Sequence, residues 1–129
     1  MRPLRFLRTY LILGCAYVTL VIYLTLIPQL PQGPDLPFAD KGEHLLAYSL
    51  MMAWFGCLAR EGKLRLKLAL GFTALGAALE VLQGLGGVRQ MELADALANA
   101  MGAGLGWWIT QGEPGRLLER LEKALPGKR

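Results

Sequence analysis

The chain has 129 residues, of which 53% are hydrophobic, a net charge of +4 and two cysteines. Its length fits one domain, and its long apolar blocks separated by charged stretches are typical of an integral membrane protein rather than a water-soluble one. Two isolated cysteines exclude a disulfide framework and a zinc-binding pattern. The basic residues are not interleaved with aromatic ones, so no nucleic acid partner is expected.

Four apolar segments predict an all-α bundle of four transmembrane helices in a single domain, 1–129. The first segment has 19 residues without a charge and is long enough to cross the hydrocarbon core, so we expect a permanent helix rather than a cleaved targeting segment. The predicted helices are Thr9–Ile27, Lys41–Ala59, Leu66–Gln83 and Met91–Thr110. A proline-rich loop is predicted at 28–37.

The C-terminal segment, 114–126, has leucines at helical spacing with charged residues between them. This pattern predicts a short amphipathic helix that lies on the membrane surface. A frayed, solvated tail is the alternative interpretation.

The distribution of basic residues predicts the orientation of the bundle. With four spans, the N-terminus, the loop at 60–67 and the tail lie on one side and hold twelve of the 14 lysines and arginines, while Lys41 and Arg89 lie on the other. Basic residues concentrate on the cytoplasmic side of membrane proteins. We therefore expect both termini in the cytoplasm.

The second predicted helix opens with an ionisable stripe. Asp40 is the expected N-cap, and Lys41, His44 and Tyr48 follow it at three- to four-residue spacing on one face. Other polar residues reach the same depth from the third helix, the next loop and the fourth helix: Glu80, Gln83, Arg89, Asp95 and Asn99. We expect these groups to converge on one pocket that opens away from the cytoplasm.

Ionisable side chains within a membrane span are candidates for function by default. His44 is expected to act as a general base or nucleophile, with Glu80 or Asp95 orienting it as the other catalytic residues. Lys41 and Arg89 would hold a phosphate or carboxylate. The remaining pocket residues are assigned to binding: Asp40, Tyr48, Gln83 and Asn99.

Several of these residues have a purely structural alternative. Asp40 can serve only as an N-cap, Tyr48 as a packed aromatic, and Gln83 and Asn99 as interhelical hydrogen-bond partners. The charged residues can form an ion-pair cluster that fixes helix register.

The fourth helix also carries a packing signal. Gly102 and Gly106 continue the face of Asp95 and Asn99 as a stripe of small residues, which favours close helix contact. Trp107 and Trp108 follow at the other end, where an aromatic belt is typical.

In this order, the polar motifs resemble those of the VanZ-like family of bacterial membrane proteins. The motifs are Asp-Lys-x-x-His-x-x-x-Tyr, Glu-x-x-Gln, an arginine in the following turn, and Asp-x-x-x-Asn-x-x-Gly. They fall here on Asp40, Lys41, His44, Tyr48, Glu80, Gln83, Arg89, Asp95, Asn99 and Gly102. The resemblance covers the second to fourth helices, and a shorter, glycine-rich segment at 84–88 departs from it. It implies a multi-pass protein of the bacterial cytoplasmic membrane and a role in the cell envelope linked to teicoplanin (glycopeptide) resistance.

Three functions remain open. The first is an enzyme that acts on a lipid-linked or anionic envelope component. The second is non-enzymatic binding of a lipid headgroup, a peptidoglycan precursor or a glycopeptide. The third is a small flippase or carrier, for which four short helices leave little room.

We expect membrane lipids as partners, no cofactor and no metal. A hard divalent cation is the alternative, because the cluster of Asp40, His44, Glu80 and Asp95 is dominated by carboxylates.

Overall fold

The computed structural model of the protein describes residues 1–28, 39–87 and 92–127. Across these three stretches the chain is all-α and has no strand. The helices are α1 (Leu7–Leu26), α2 (Ala39–Leu58), α3 (Gly62–Leu85), α4 (Leu93–Ile109) and α5 (Leu117–Ala124), with a 3-10 turn (Glu113–Arg116) before α5. Nearly all of the predicted proline-rich loop, and Arg89, lie outside the described residues.

The first turns of α2 and α4 differ from the prediction. α2 begins at Ala39, so Asp40 lies within its first turn rather than at the N-cap. In α4 the backbone of Glu92 is extended and helical geometry begins only at Leu93. Glu92 is therefore the N-cap residue, and its side chain contacts α2, as described below.

α3 is longer than predicted at both ends. It begins at Gly62 rather than Leu66, because the charged stretch between α2 and α3 contains no proline to prevent helix formation. The predicted helix ends at Gln83, whereas Gly84 lies within α3, which ends at Leu85. The stop comes at Gly87, whose φ of 65° is the left-handed conformation that glycine adopts without strain.

α2 and α4 form the tightest helix contact, and the glycine stripe explains it. A Cβ on Gly102 would overlap the carbonyl oxygen of Leu45, and one on Gly106 would lie 2.6 Å from that of Ser49. Glycine at both positions therefore brings the two backbones together, as the small-residue stripe predicted. On α3, Gly76 accommodates Asn99 in the same way.

Consecutive helices run antiparallel, so α2 and α4 are parallel to each other and both begin at the same end of the bundle. At the polar end, Gln83 of α3 donates a hydrogen bond to the Thr25 carbonyl of α1 (2.6 Å), and Lys41 of α2 contacts Asp95 of α4. At the basic end, the Arg2 amide donates to the carbonyl of Leu58, the last residue of α2 (2.8 Å).

The tail forms the predicted helix and docks on the basic end. Leu118 of α5 is buried in the core cluster that contains Leu58 and Phe55 of α2. The Glu119 carboxylate accepts a hydrogen bond from Arg2 (2.8 Å), and the Glu122 carboxylate accepts bonds from the backbone amides of residues 5 and 6. α5 is thus tied to the N-terminus rather than frayed.

Two helices in the described parts are long and apolar enough to cross a membrane, α1 and α3, with mean hydropathies of 1.9 and 1.6. α2 has 20 residues, but three of its first five are charged. α4 has 17 residues, which extend about 26 Å and fall short of a hydrocarbon core of about 30 Å.

Candidate functional site at the polar end

A cluster of five polar residues from α2 and α4 occupies the polar end, together with Glu92 just before α4. We call Asp40, Lys41, His44, Asp95 and Asn99 the polar cluster. Asp95 is fully buried and Asn99 is 2% exposed, whereas the first turn of α2 is partly open to solvent. The cluster is therefore a recess with a buried floor and an open rim.

Lys41 is the cation of the cluster. Its Nζ lies 2.9 Å from Oδ1 of Asp95 and 3.5 Å from Oδ2 of Asp40, and it also contacts the Glu92 carboxylate. Three carboxylates therefore surround one ammonium. This arrangement compensates the charge of the buried Asp95, which could not otherwise remain ionised at low cost.

His44 lies beside this ion-pair network and contacts α4. Its Nδ1 is 3.0 Å from Oδ1 of Asn99, so the amide oxygen accepts a hydrogen bond from Nδ1–H. Its Nε2 lies 3.7 Å from Asp40 and 4.0 Å from Asp95, beyond hydrogen-bond distance from either carboxylate. The ring is thus fixed at one nitrogen, while the other faces two acidic groups.

Helix periodicity explains why these residues meet. Asp40 and His44 are four residues apart on α2, as are Asp95 and Asn99 on α4, so each pair shares one face. The glycine contact between α2 and α4 turns these two faces toward each other. Gly76 brings α3 against Asn99 and permits the close approach of the third helix.

Three other predicted site residues are buried. Tyr48 is 2% exposed and packs in an apolar cluster with Val21 and Met51. Glu80 is also 2% exposed and lies near enough to Tyr48 to interact with it electrostatically. Gln83 is directed to α1, where it donates to Thr25, and so acts as an interhelical tie. Arg89 falls outside the described residues.

Glu92 is the residue that the sequence interpretation left out of the site. Its side chain contacts Lys41 directly, and its own backbone is extended immediately before α4. Its position three residues before Asp95 was the available signal, because an acidic residue at a helix start lies near the side chains of the first turn.

Three residues of the polar cluster also have the composition of a cation site. Ligand atoms of Asp40, His44 and Asp95 all lie within 4.8 Å of one another. The Lys41 ammonium contacts both carboxylates, however, so a divalent cation would compete with it for the same oxygens. The pairing with lysine is the state that this geometry favours.

Of the predicted site residues that the structure describes, five form the polar cluster and three are buried: Tyr48, Glu80 and Gln83. No family model matches the chain, and neither a curated protein nor a solved structure gives a significant match.

Proposed function

We propose that the chain is a four-span protein of the bacterial cytoplasmic membrane, with both termini in the cytoplasm and the polar end outside. The lengths of α1 and α3 and the charge distribution of the sequence support this topology. Large apolar side chains are exposed on all four helices, among them Ile12, Leu50, Leu70 and Met101. Such surfaces are disfavoured in water and favoured against acyl chains.

We further propose that the protein is VanZ-like and that its polar cluster acts on a lipid-linked or anionic component of the cell envelope. The observation that carries this proposal is the placement of His44 between Asn99 and two carboxylates. Such a recess near the outer surface would be accessible to a headgroup that remains in its membrane.

The geometry supports a proton-transfer role for His44. With its Nδ1–H bonded to Asn99, the imidazole presents its lone pair at Nε2. A hydroxyl or amine of the substrate placed there would give its proton to Nε2, and Asp95 would stabilise the imidazolium that forms. The Lys41 ammonium would remain paired with the Asp95 carboxylate.

The net negative charge of the polar cluster and Glu92 favours a hydroxyl or amine of the substrate beside His44 over an anionic group. Asp40, Glu92 and Asp95 outnumber Lys41, so the described recess repels a phosphate. An anionic part of the substrate would have to contact Arg89 instead. A lipid-linked precursor provides both kinds of group, which is why we prefer it.

The proposal is tested with purified protein in lipid nanodiscs that contain a lipid-linked peptidoglycan precursor, with products followed by mass spectrometry. His44→Gln should lower turnover at least about 100-fold, the usual minimum for a general base. Glu43→Gln is the matched control, because Glu43 is exposed and lies one residue away. Teicoplanin sensitivity should change in cells that express His44→Gln and stay unchanged in cells that express Glu43→Gln.

Full activity of His44→Gln at normal expression would contradict the enzymatic proposal. Non-enzymatic binding is the second candidate, favoured by the fact that the Lys41 ammonium is already paired with carboxylates of the described cluster. Stoichiometric retention of the precursor without turnover, lost in His44→Gln and kept in Glu43→Gln, would establish binding instead.

A further inference from the structure

A second polar cavity, of about 460 Å³, lies at the basic end of the bundle. Four arginines from three parts of the chain line it: Arg2 at the N-terminus, Arg60 and Arg65 around the start of α3, and Arg116 before α5. One acidic residue, Glu119, lines the same cavity. Convergence of four guanidinium groups from distant positions is a property of the fold that no local motif reveals.

Two of these arginines are anchored to the protein. Arg65 donates hydrogen bonds to the backbone carbonyls of Thr110 and Arg60, and Arg2 donates to the Glu119 carboxylate. Arg2 is only 7% exposed. The guanidinium groups are therefore preorganised and do not have to be ordered when a ligand binds.

The hydrogen-bonding capacity of this cavity is not exhausted. The Nε–H groups of Arg2 and Arg65 are buried and have no hydrogen-bond partner within 1–28, 39–87 and 92–127. These two groups have almost no accessible surface, so a ligand in the cavity would bind through the other N–H groups of the four arginines. An oxyanion is the acceptor that a guanidinium group binds best.

The charge of the cavity indicates the same ligand class. Four guanidinium groups repel one another. Among the residues that the structure describes, Glu119 is the one carboxylate that lines the cavity, and it is already bonded to Arg2. The planar fork of arginine matches the oxygens of a phosphate. Trp107 and Trp108 lie within one turn of Thr110, whose carbonyl accepts a hydrogen bond from Arg65. An aromatic belt at this position would place the cavity at the level of the lipid headgroups.

We propose that the arginine cavity binds a phosphate group, from either the headgroup of an anionic lipid or free phosphate. It lies at the opposite end of the bundle from the polar cluster, so it is a separate site from the one proposed above. Basic pockets between helices on the cytoplasmic side of membrane proteins bind phosphorylated headgroups in this manner. Binding of a lipid headgroup requires the proposed placement of the bundle in a bilayer, whereas binding of free phosphate does not.

The experiment is native mass spectrometry of the full chain in neutral detergent, titrated with phosphatidylglycerol or phosphatidylcholine. Arg60→Gln and Arg116→Gln remove exposed cavity residues and leave the buried Arg2 contact in place. Each should weaken phosphatidylglycerol binding about fivefold, the effect of one basic contact to an anionic lipid. Lys63→Gln is the control, since Lys63 is exposed on α3 but does not line the cavity.

Inorganic phosphate distinguishes the two sources. Displacement of phosphatidylglycerol by millimolar phosphate, with the same dependence on Arg60 and Arg116, would assign the site to free phosphate. Retention of the lipid under those conditions would assign it to the headgroup. Equal binding of both lipids would overturn the site, because the negative charge of the headgroup would then play no part in binding. A loss in Lys63→Gln as large as in Arg60→Gln would also overturn it, because diffuse surface charge would then account for binding.

Discussion

At the scale of single residues, the buried carboxylate of Asp95 determines the polar cluster. It is fully buried, whereas Asp40 and Glu92, the other two acidic partners of Lys41, are partly exposed. A buried charge is tolerated only when it is paired, and removal of one partner leaves the other uncompensated. The contact between Lys41 and Asp95 should therefore matter more for stability than the other two.

Replacing Asp95 with Asn should lower the free energy of unfolding by about 3 kcal/mol, the lower end of the range for breaking a buried pair, because Lys41 keeps two exposed partners. Chemical unfolding in detergent micelles measures this difference. Glu43→Gln, an exposed neighbour of His44, should change stability by less than about 0.5 kcal/mol. Equal effects of the two substitutions would show that Asp95 is not the structural centre of the cluster.

At the scale of helices, the glycine contact between α2 and α4 sets the distance at which the polar cluster forms. Gly102 lies one turn beyond Asn99 on the same face, so a change in helix separation there would also move Asn99 relative to His44. Packing and site geometry are coupled through this one face.

Gly102→Ala should lower the free energy of unfolding by about 1–3 kcal/mol, because its Cβ would meet the backbone of Leu45 and a backbone atom cannot rotate away. Gly104→Ala, two residues along the same helix, has open space at that Cβ and should be neutral or stabilising by up to about 1 kcal/mol. Thermal unfolding of both variants in the same detergent measures the difference. Similar destabilisation by both would contradict the close contact.

The docking of α5 should depend on pH. The hydrogen bond from Arg2 lowers the pKa of the Glu119 carboxyl below its ordinary value of 4.5. Because the folded-state pKa is the lower one, this contact stabilises docking above about pH 4.5, and the contribution is lost as the pH falls through the folded value. Hydrogen-exchange protection factors of α5 amides should decrease over that range.

Glu119→Gln is the control for this pH dependence. Glu122 also titrates, since its carboxylate accepts bonds from the amides of Arg5 and Phe6. The Glu119→Gln variant should therefore keep the part of the pH dependence that Glu122 causes and lose the part that Glu119 causes. An unchanged profile would contradict a role for the Arg2 contact.

At the scale of the whole molecule, one apolar surface and two polar ends define how the chain would sit in a bilayer. α1 contributes few buried residues, Gly14 and Val21 among them, and exposes apolar side chains along its length. In the proposed topology this surface faces acyl chains, and the polar end and the basic end face opposite aqueous compartments.

Cysteine labelling tests that topology. In a background with Cys15 and Cys57 replaced by alanine, Glu43→Cys should react with a membrane-impermeant maleimide added outside intact cells. Lys63→Cys, at the opposite end of the bundle, should react only after permeabilisation. The reverse pattern would place the termini outside the cell and invert the proposal.

The sequence predicted the helices better than the partners of individual side chains. The apolar lengths of α1 and α3, the stripe of Asp40 and His44, and the glycines of α4 are local patterns that dictate one face or one element. Whether Gln83 contacts α1 or the recess depends on helix rotation, which only tertiary packing sets. The arginine cavity joins residues more than 100 positions apart, so no spacing rule could predict it.

The contact between Lys41 and Asp95 also has a consequence for biosynthesis. More than 50 residues separate the two in the chain, so in the four-span arrangement α2 leaves the ribosome with its lysine long before the matching aspartate is translated. Before α4 is made, Lys41 has its neighbour Asp40 but not Asp95 as a partner. Charged side chains enter the hydrocarbon core reluctantly, so the start of α2 would remain at the water interface. When α4 reaches the translocon, Asp95 would neutralise the charge of Lys41, and the two helices would then complete their insertion together.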